Sequence, residues 1–381
     1  MTRSPLTVAY DATAAATQRA GVGRATRDLL AALTERASHV HMRPFVVAPE
    51  ITHPLPLGLP IPMHMRRSIR VARLDMLVRQ TLRLPAHGPW DGADLYHATD
   101  IVHPPVARRL PVVSTVNDLS FIVFPEFHSA LNARYLRLAT PGALKTSRAV
   151  IAISQATKND ILRYTDIPED KVHVVHIATP TLGNASGPTP EDLASVRETY
   201  DLPHSFILSV GTLEPRKNLA GVLSAYRMLR RNLGDAPPLV LVGGAGWKLD
   251  LGAAMASDIE PWIRRLGFVP DTDLHALYTA CDAFVYPSFY EGWGLPVAEA
   301  LSHGAPTITS NVSSLPEVVG DAALQVDPKD HDALATALEH VLTDKALADR
   351  LRAAGPPRAA LFSTEAWVEG TLDAYRQADI G

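Results

Sequence analysis

The chain has 381 residues and a formal net charge of −4, with a sequence pI near 6.4. This length suits two domains, and the mildly negative charge argues against a general nucleic-acid-binding protein. The single cysteine, Cys281, excludes an intramolecular disulfide, which favours a cytoplasmic location. No stretch approaches the roughly 20 apolar residues of a transmembrane helix, and the N-terminal residues lack the apolar region of a signal peptide.

Strand and helix patterns alternate through the first half of the chain. The predicted strands are Leu6–Tyr10, Val40–Ala48, Asp94–His97, Val112–Val116, Val150–Ser154 and Val172–Ile177. Helical patterns follow the Gly21-Val22-Gly23 loop and cover Met65–Leu82, Leu131–Leu144 and Gln155–Tyr164, and four prolines between residues 54 and 62 predict coil. Strands that alternate with helices predict a parallel sheet covered on both faces.

A linker rich in proline, glycine, serine and threonine, Ala178–Pro190, separates this half from a second one. The alternation then starts again with strands at Phe206–Val210, Leu239–Val242, Ala283–Tyr286, Pro306–Thr309 and Ala323–Val326, and with helices at Asn218–Leu233, Asp330–Leu342, Lys345–Ala360 and Thr364–Arg376. We therefore predict an N-terminal Rossmann-like domain at 1–185, a C-terminal one at 186–362, and a final helix at 363–381 that returns to the N-domain. A ligand is expected in a cleft between them.

The most informative stretch is Pro287–Glu317, in which a strand, a glycine turn, a helix and a second strand follow one another. The backbone N–H groups at such a helix N-terminus suit a phosphate. Glu291 lies in the turn and Glu299 about one turn inside the helix, so Glu299 is placed to bind a ribose diol and Glu291 the group beyond the phosphates. The alternative is a capped core helix with two solvated acids.

Arg216 and Lys217 occupy a second junction of this kind, where Gly211 follows a strand and a helix begins near Asn218. Two cations at a helix N-terminus are unfavourable with the helix dipole unless an anion is nearby. A diphosphate would supply that anion, and its growing charge in the transition state would be stabilised by both side chains. A solvated basic turn is the alternative.

Other motifs are weaker. Gly21-Val22-Gly23 lacks the third glycine of the dinucleotide fingerprint, since Thr26 stands there. The 15 histidines form no convincing metal set. In the predicted helix Met65–Leu82, one side carries the arginines Arg66, Arg70 and Arg73. Another side carries the apolar residues Val71, Leu74, Val78 and Leu82. Such a helix either lies on an anionic membrane or packs on its own domain.

Several strings resemble the retaining family 4 glycosyltransferases, and in particular bacterial mannosyltransferase-like members that build O-antigen or capsule chains. The strings are GTLEPRKNL at 211–219, PSFYEGWGLPVAEALSHG at 287–304 and SNVSSLPEVVGDAALQVDP at 310–328, with looser matches at GVGR (21–24), LYHATD (95–100), DLSFIVFPEFH (118–128) and ISQATKNDI (153–161). The resemblance spans nearly the whole chain. It implies an α/β protein of the GT-B fold, with two doubly wound Rossmann-like domains.

The resemblance also implies roles for individual residues. Donor binding would involve Gly21, Gly23, Gly211, Arg216, Lys217, Glu291, Gly292, Trp293, Gly294, Leu295 and Glu299, and catalysis Glu291, Arg216, Lys217, Asp118 and Asn117. Where the family commonly has a histidine before the aspartate, this chain has Asn117 before Asp118. Asparagine can still donate a hydrogen bond to a donor sugar.

We therefore predict a retaining hexosyltransferase that uses GDP-mannose and a glycan or lipid-linked acceptor in cell-surface polysaccharide synthesis. No cofactor and no metal ion are expected, and no nucleic acid partner. The protein is expected in the cytoplasm, with peripheral membrane contact through residues 65–82 left open. The alternatives are transfer of rhamnose or glucose, a sugar-nucleotide epimerase of the same fold, and a nucleotide-sugar-binding protein without turnover.

Overall fold

The computed structural model describes residues 5–19, 21–55, 58–60, 62–82, 84–179, 187–244 and 258–380, the side chains of Ile69, Arg70 and Ile380 excepted. The chain divides into two compact units, Met1–Ala178 with Ser363–Gly381, and Thr179–Phe362. Most of the predicted linker, and with it the predicted boundary at 185/186, lies outside the described residues. The same holds for part of the glycine run at 243–246.

The first unit is built on a parallel sheet of seven strands. They are β1 Leu6–Asp11, β2 Val40–Ala48, β3 Met63–Arg66, β4 Leu95–Ala98, β5 Val112–Val116, β6 Ala149–Ala152 and β7 Val172–Val174, in the spatial order β3-β2-β1-β4-β5-β6-β7. Its α-helices are α1 Thr13–Thr17, α2 Val22–Arg36, α3 Ile69–Leu82, α4 Ser120–Val123, α5 Ala130–Thr146 and α6 Gln155–Tyr164. The structure corrects one expectation, because Met63–Arg66 forms an edge strand and the helix begins only at Ile69.

The second unit repeats the arrangement with six parallel strands. They are β8 Ile207–Val210, β9 Leu239–Val242, β10 Ile263–Gly267, β11 Ala283–Tyr286, β12 Thr307–Ser310 and β13 Leu324–Val326, in the order β10-β9-β8-β11-β12-β13. Its helices are α7 Pro190–Thr199, α8 Leu219–Leu233, α9 Asp271–Ala280, α10 Leu295–Ser302, α11 Leu315–Val319, α12 His331–Thr343 and α13 Lys345–Ala359. Two parallel Rossmann-like sheets confirm the predicted α/β fold class.

Buried apolar strands explain why these sheets are covered on both faces. All four residues of β9 and all four of β11 are buried, as a parallel sheet between two helical layers requires. In the second unit, α8 and α12 pack on the sheet through a core that includes Tyr226 and Leu338. This core fixes the strand ends from which the candidate site residues project.

Each sheet has one point where the strand order reverses direction. In the first unit that point lies between β1 and β4, and in the second between β8 and β11. Ligands of open parallel sheets bind beyond the carboxyl ends of the strands at such a point. Gly211 directly follows β8 and the turn carrying Glu291 follows β11, so both predicted motifs of the second unit lie at its switch point.

The final helix, α14 Thr364–Ile380, belongs to the first unit. Its Tyr375 hydroxyl lies 2.7 Å from Nδ1 of His97, and Nε2 of His97 lies 2.8 Å from Oγ1 of Thr115. Burial lowers the pKa of His97 to about 3, so the ring is neutral at physiological pH. Gly370 packs against Val175, which a side chain at position 370 would displace. The helix is thus held over the sheet by polar contacts as well as by packing.

Candidate active site

The backbone of Glu291 is fixed by the serine pair that follows β12. Its N–H donates to Oγ of Ser313 at 2.9 Å, and Oγ of Ser314 donates to its carbonyl oxygen at 2.9 Å and to that of Trp293 at 2.8 Å. Ser313 holds a positive φ of 54°, a conformation that is costly for a residue with a side chain. Backbone strain of this kind beside a buried carboxylate is typical of a functional turn.

Two basic side chains meet at the Glu291 carboxylate. Arg216 donates from Nη1 to Oε2 at 2.8 Å, and Lys217 donates from Nζ to Oε1 at 2.6 Å. Arg216 also donates to Oε1 of Glu214 at 2.7 Å and to the carbonyl oxygen of Tyr290 at 2.7 Å. We call Glu214, Arg216, Lys217 and Glu291 the charged cluster. Its two cations and two carboxylates sum to zero charge.

Electrostatics of the charged cluster hold Glu291 in its ionised form. Burial alone would raise the pKa of Glu291, but Arg216 and Lys217 outweigh burial and lower it to about 2. Burial, together with the neighbouring Arg216, lowers the pKa of Lys217, and Glu291 opposes that shift. The Tyr286 hydroxyl lies between them, accepting from Lys217 at 2.5 Å and donating to Glu291 at 3.0 Å. Glu291 is therefore an acceptor that keeps both cations charged and oriented.

Glu214 and Tyr286 were not predicted as site residues. Glu214 is only 3% exposed although it lies in a turn, and its carboxylate accepts from Arg216. The signal available in the sequence was its place two residues before a pair of cations, in GTLEPRK. That signal is weak, because an acid near two cations in the sequence is as common in a solvated turn as in a buried ion pair.

A small open cleft lies beside the charged cluster. Its lining consists of Ser209, Val210, Gly211, Thr212, Leu213, Lys217, Leu219 and Tyr286. Lys217 is the cation that faces the cleft, and its Nζ lies 5.0 Å from the centre of the Tyr286 ring. Gly211 contributes only backbone to the lining, and Gly243 packs so closely on it that a side chain at position 243 would collide with the Gly211 carbonyl oxygen. An anion entering this cleft meets Lys217 first.

Glu299 lies in the second turn of α10, as predicted, and is 4% exposed. The hydroxyl of Tyr278, from α9, donates to its Oε2 at 3.0 Å. At the end of α10, Nδ1 of His303 lies 2.7 Å from the Glu299 carbonyl oxygen, which can only accept, so Nδ1 carries the proton. Nε2 of His303 then accepts from Nδ1 of His275. Tyr278 thus positions the Glu299 carboxylate and the histidine pair fixes its helix.

The turn before α10 is shaped by Gly294 and Trp293. Gly294 has φ +108°, and a Cβ there would lie 2.7 Å from Cδ2 of Leu315, so only glycine fits. The Trp293 ring is buried edge-on against Phe362, with 4.7 Å between ring centres. Gly292 is buried in the same turn, and Leu295 begins the helix. The predicted donor contacts from these four residues are therefore backbone contacts.

The first unit contains the other predicted residues. Gly21 precedes α2 with φ +58°, and a Cβ on Gly23 would lie 2.1 Å from the carbonyl oxygen of Gln18, so packing alone requires Gly23. Oδ1 of Asp118 accepts from the N–H and hydroxyl of Ser120. Asn117 donates to the carbonyl oxygen of Thr99 at 3.2 Å and lines a small, largely apolar cavity. Asp118 thus has a local structural role at the start of α4.

Comparison with known proteins identifies the family. The model of glycosyl transferases group 1 matches residues 197–358, and that of glycosyltransferase family 4 matches residues 19–181. An O-antigen chain mannosyltransferase B of Escherichia coli is 36% identical over 319 residues, which cover 81% of this chain and 83% of that protein. The chain is a family 4 glycosyltransferase.

Two further similarities bear on this glycosyltransferase. A serotype-specific mannosyltransferase of Escherichia coli is 37% identical over 219 residues, which cover 56% of the chain but only 27% of that longer protein. The structure of a sucrose-phosphate synthase from Thermosynechococcus elongatus superposes with a TM-score of 0.76 at 20% identity, covering 98% of each chain. The latter similarity shows the fold alone, and it confirms the predicted GT-B class.

Proposed function

We propose that this glycosyltransferase transfers mannose from GDP-mannose, with retention of configuration, to a glycan or lipid-linked acceptor in cell-surface polysaccharide synthesis. The sugar is inferred from the mannosyltransferases that the chain resembles. The observation that carries the reaction class is the charged cluster at the switch point of the second sheet, where Arg216 and Lys217 are held by Glu291 beside an open cleft.

The proposed chemistry follows from the charges. The bond between the anomeric carbon and the donor phosphate breaks, and the departing diphosphate gains negative charge next to Lys217 and Arg216. The acceptor oxygen bonds to the anomeric carbon on the same face, and its proton passes to the departing phosphate. Preorganised cations stabilise that charge more in the transition state than in the ground state. Because Glu214 and Glu291 together already neutralise both cations, the diphosphate has to share Arg216 and Lys217 with these carboxylates.

A panel of nucleotide sugars tests the proposal. GDP-mannose should raise the melting temperature of the purified protein most, and mass spectrometry should detect mannosyl transfer or slow donor hydrolysis. Stabilisation by another sugar nucleotide would indicate rhamnose or glucose transfer. Conversion of the donor into its epimer would indicate the epimerase, and binding without any turnover would indicate a nucleotide-sugar-binding protein.

Metal independence is a separate prediction. Among the described residues, no group of three or more His, Cys, Asp or Glu side chains is arranged to hold a metal ion. We expect Arg216, Lys217 and the backbone of the turn before α10 to supply the positive charge instead. Transfer should therefore continue in excess EDTA at an unchanged rate. Loss of turnover on chelation, restored by Mg²⁺ or Mn²⁺, would show that this assignment of the charge is incomplete.

The role proposed for Glu299 predicts an effect on nucleotide affinity. Glu299→Gln should weaken binding of the donor and of GDP alike by about 1.5–3 kcal/mol, because both carry the ribose diol and a charged hydrogen bond is lost. Tyr278→Phe should weaken both by about tenfold or less, since the carboxylate remains but loses one fixing contact. Calorimetry with GDP measures both effects.

Tyr200→Phe is the matched control for the Tyr278 substitution. Its hydroxyl also donates to a carboxylate, at 2.7 Å from Oδ2 of Asp273, and Asp273 lies on the same helix α9. GDP affinity should be unchanged in this variant. Wild-type GDP affinity in Glu299→Gln would remove the residue from the site.

The acceptor side is proposed from the first unit. Residues 65–82, for which the sequence left membrane contact open, comprise the end of β3 and the whole of α3. None of the helices within the described parts of the chain combines the length and apolarity needed to span a bilayer. Contact through this segment is therefore proposed as peripheral, at the face of a membrane that carries a lipid-linked acceptor.

A further inference from the structure

Helix α3 turns its apolar side to solvent. Val71, Leu74, Val78 and Leu82 are 57%, 65%, 46% and 61% exposed, and their spacing of three, four and four residues places them on one side of the helix. In a helix packed on its own domain these residues would face the core. The helix does pack on its own domain, against α5, but its apolar side is not the side that packs.

The opposite side of α3 holds it on α5. The guanidinium of Arg73 lies 4.8 Å from the centre of the Tyr135 ring, and the Tyr135 hydroxyl lies 3.3 Å from Sδ of Met76. These contacts fix the helix with its apolar side outward. Arg73 thus packs the two helices together, which makes it a poor residue with which to test membrane contact.

Helix α5 adds further apolar side chains. Leu131 is 85% exposed and Leu138 is 62% exposed, and they lie seven residues, or two turns, apart on one side of the helix. We call the exposed apolar residues of the two helices the docking surface. They are Val71, Leu74, Val78, Leu82, Leu131 and Leu138. Several exposed apolar side chains on two helices that pack against each other indicate an interaction site.

The two segments that carry the docking surface are strongly basic. Residues 63–82 contain five arginines and one aspartate, a sum of +4, and residues 130–146 contain two arginines and one lysine without an acid, a sum of +3. The two segments together carry +7 in a chain whose net charge is −4. The one aspartate, Asp75, pairs with Arg67 at 3.0 Å and with Arg79 at 2.8 Å.

We propose that the docking surface lies on an anionic phospholipid bilayer, with its apolar side chains at the level of the acyl chains and its basic side chains against the headgroups. A second copy of the chain fits poorly, because the two positive surfaces would repel each other. Nucleic acid would neutralise the charge but leave six apolar side chains in water. The inference rests on the proposed function only in that a lipid-linked acceptor lies at such a bilayer.

The position of α5 in the chain connects the surface to chemistry. The segment that carries Asp118 runs through α4 and a short 3₁₀ turn at Pro125–Phe127, and α5 begins at Ala130. The hydroxyl of Ser120 bonds to Oδ1 of Asp118 and lies 2.9 Å from Nε2 of His128, which closes this segment on itself. A bilayer against α5 therefore lies next along the chain to the segment that carries Asn117 and Asp118, which the family resemblance predicts to be catalytic.

Vesicle co-sedimentation tests the docking surface. The full-length protein should sediment with vesicles of phosphatidylcholine that contain about one third phosphatidylglycerol, and not with phosphatidylcholine alone. Leu74→Ser with Val78→Ser should lower the affinity for the anionic vesicles about tenfold or more, because two inserted side chains are lost. Arg134→Gln with Lys145→Gln should weaken binding and reduce its dependence on salt.

Controls are available on the second unit. Leu361 is 64% exposed, almost the same as Leu74, so Leu361→Ser matches the apolar substitution, and Arg231→Gln with Arg350→Gln matches the basic one. Both should bind vesicles as the wild type does. The inference is overturned if the wild type does not bind anionic vesicles, or if the control variants lose as much binding as the docking-surface variants. It is also overturned if the wild type is a dimer that Leu74→Ser with Val78→Ser converts to a monomer.

Donor binding separates this inference from the proposed function. The docking variants should bind GDP-mannose with wild-type affinity in calorimetry, since their substitutions lie far along the chain from the charged cluster. Intact donor binding and transfer without vesicle binding would refute the docking surface alone. Vesicle binding without donor binding or transfer would refute the proposed function alone.

Discussion

Replacing Arg216 with alanine should lower kcat on the order of 10²–10³-fold, as expected for the loss of one preorganised charged donor. The donor Kd should rise by a smaller factor, because the charge on the diphosphate grows as the sugar–phosphate bond breaks. Arg216→Lys should restore only part of the rate, since a point charge cannot bind both Glu214 and Glu291 as the guanidinium does. Steady-state kinetics and calorimetry on the same preparations measure the two effects.

The same substitution should also destabilise the protein. Glu214 and Glu291 are 3% and 6% exposed, and without Arg216 the first loses its ion-pair partner and the second keeps only Lys217. Removing one partner of a buried ion pair costs about 3–5 kcal/mol. Arg227→Ala, which breaks the more exposed pair with Asp258, should cost less than about 1 kcal/mol.

Kinetics therefore have to be measured well below the melting temperature of the variant. If Arg216→Ala stays folded and raises the donor Kd while kcat keeps its wild-type value, Arg216 only clamps the donor. The proposed stabilisation of the leaving diphosphate would then be wrong.

For Glu291→Gln we expect affinity and rate to change in opposite directions. The charged cluster gains one positive charge, so GDP should bind about tenfold more tightly. The rate should fall at least a hundredfold, because Arg216 and Lys217 lose the acceptor that orients them, and orientation within a fraction of an ångström is needed for transition-state stabilisation. Glu260→Gln, an exposed acid of the same unit, should change neither quantity.

Stability as a function of pH gives an independent check on Glu291. Its folded-state pKa of about 2 lies below the unfolded value, so its ion pairs contribute stability above about pH 4.5 and lose it as the pH falls toward 2. The difference in unfolding free energy between wild type and Glu291→Gln should therefore be constant near neutral pH and shrink in that acidic window. Weaker GDP binding in Glu291→Gln would contradict the charge balance described for the cluster.

The strands and glycine turns could be predicted from the sequence because their signals are local. Four-residue apolar runs such as Leu239–Val242 are bounded by glycine or proline, and Gly294 begins a helix where a side chain would not fit. Arg216 and Lys217 were predicted because two cations at a helix N-terminus are unfavourable without a nearby anion, and Glu291 was predicted separately because it lies in a glycine turn before a helix. The structure shows that they contact one another directly.

Long-range contacts could not be predicted in the same way. In the sequence, Glu214 looks like a solvated turn residue, and only the structure shows that Arg216 donates to it. Tyr278 looks like an ordinary core residue, and only the packing of α9 on α10 brings its hydroxyl to Glu299. The amphipathic pattern of α3 was visible, but a pattern does not say which side faces the protein. That choice is made by Tyr135, which lies far along the chain on α5.

The membership of α14 in the first unit has a consequence for biosynthesis. His97 and Tyr375 are 278 residues apart, and the whole second unit is synthesised between them. A ribosome therefore releases the first sheet long before the helix that covers it, and contacts of such separation form slowly. Until Tyr375 emerges, Nδ1 of His97 lacks its hydroxyl partner. The apolar side of the first sheet that α14 covers is then open to water. During that interval we expect the nascent first domain to need a chaperone, whereas the second unit can close as soon as its own last helix is made.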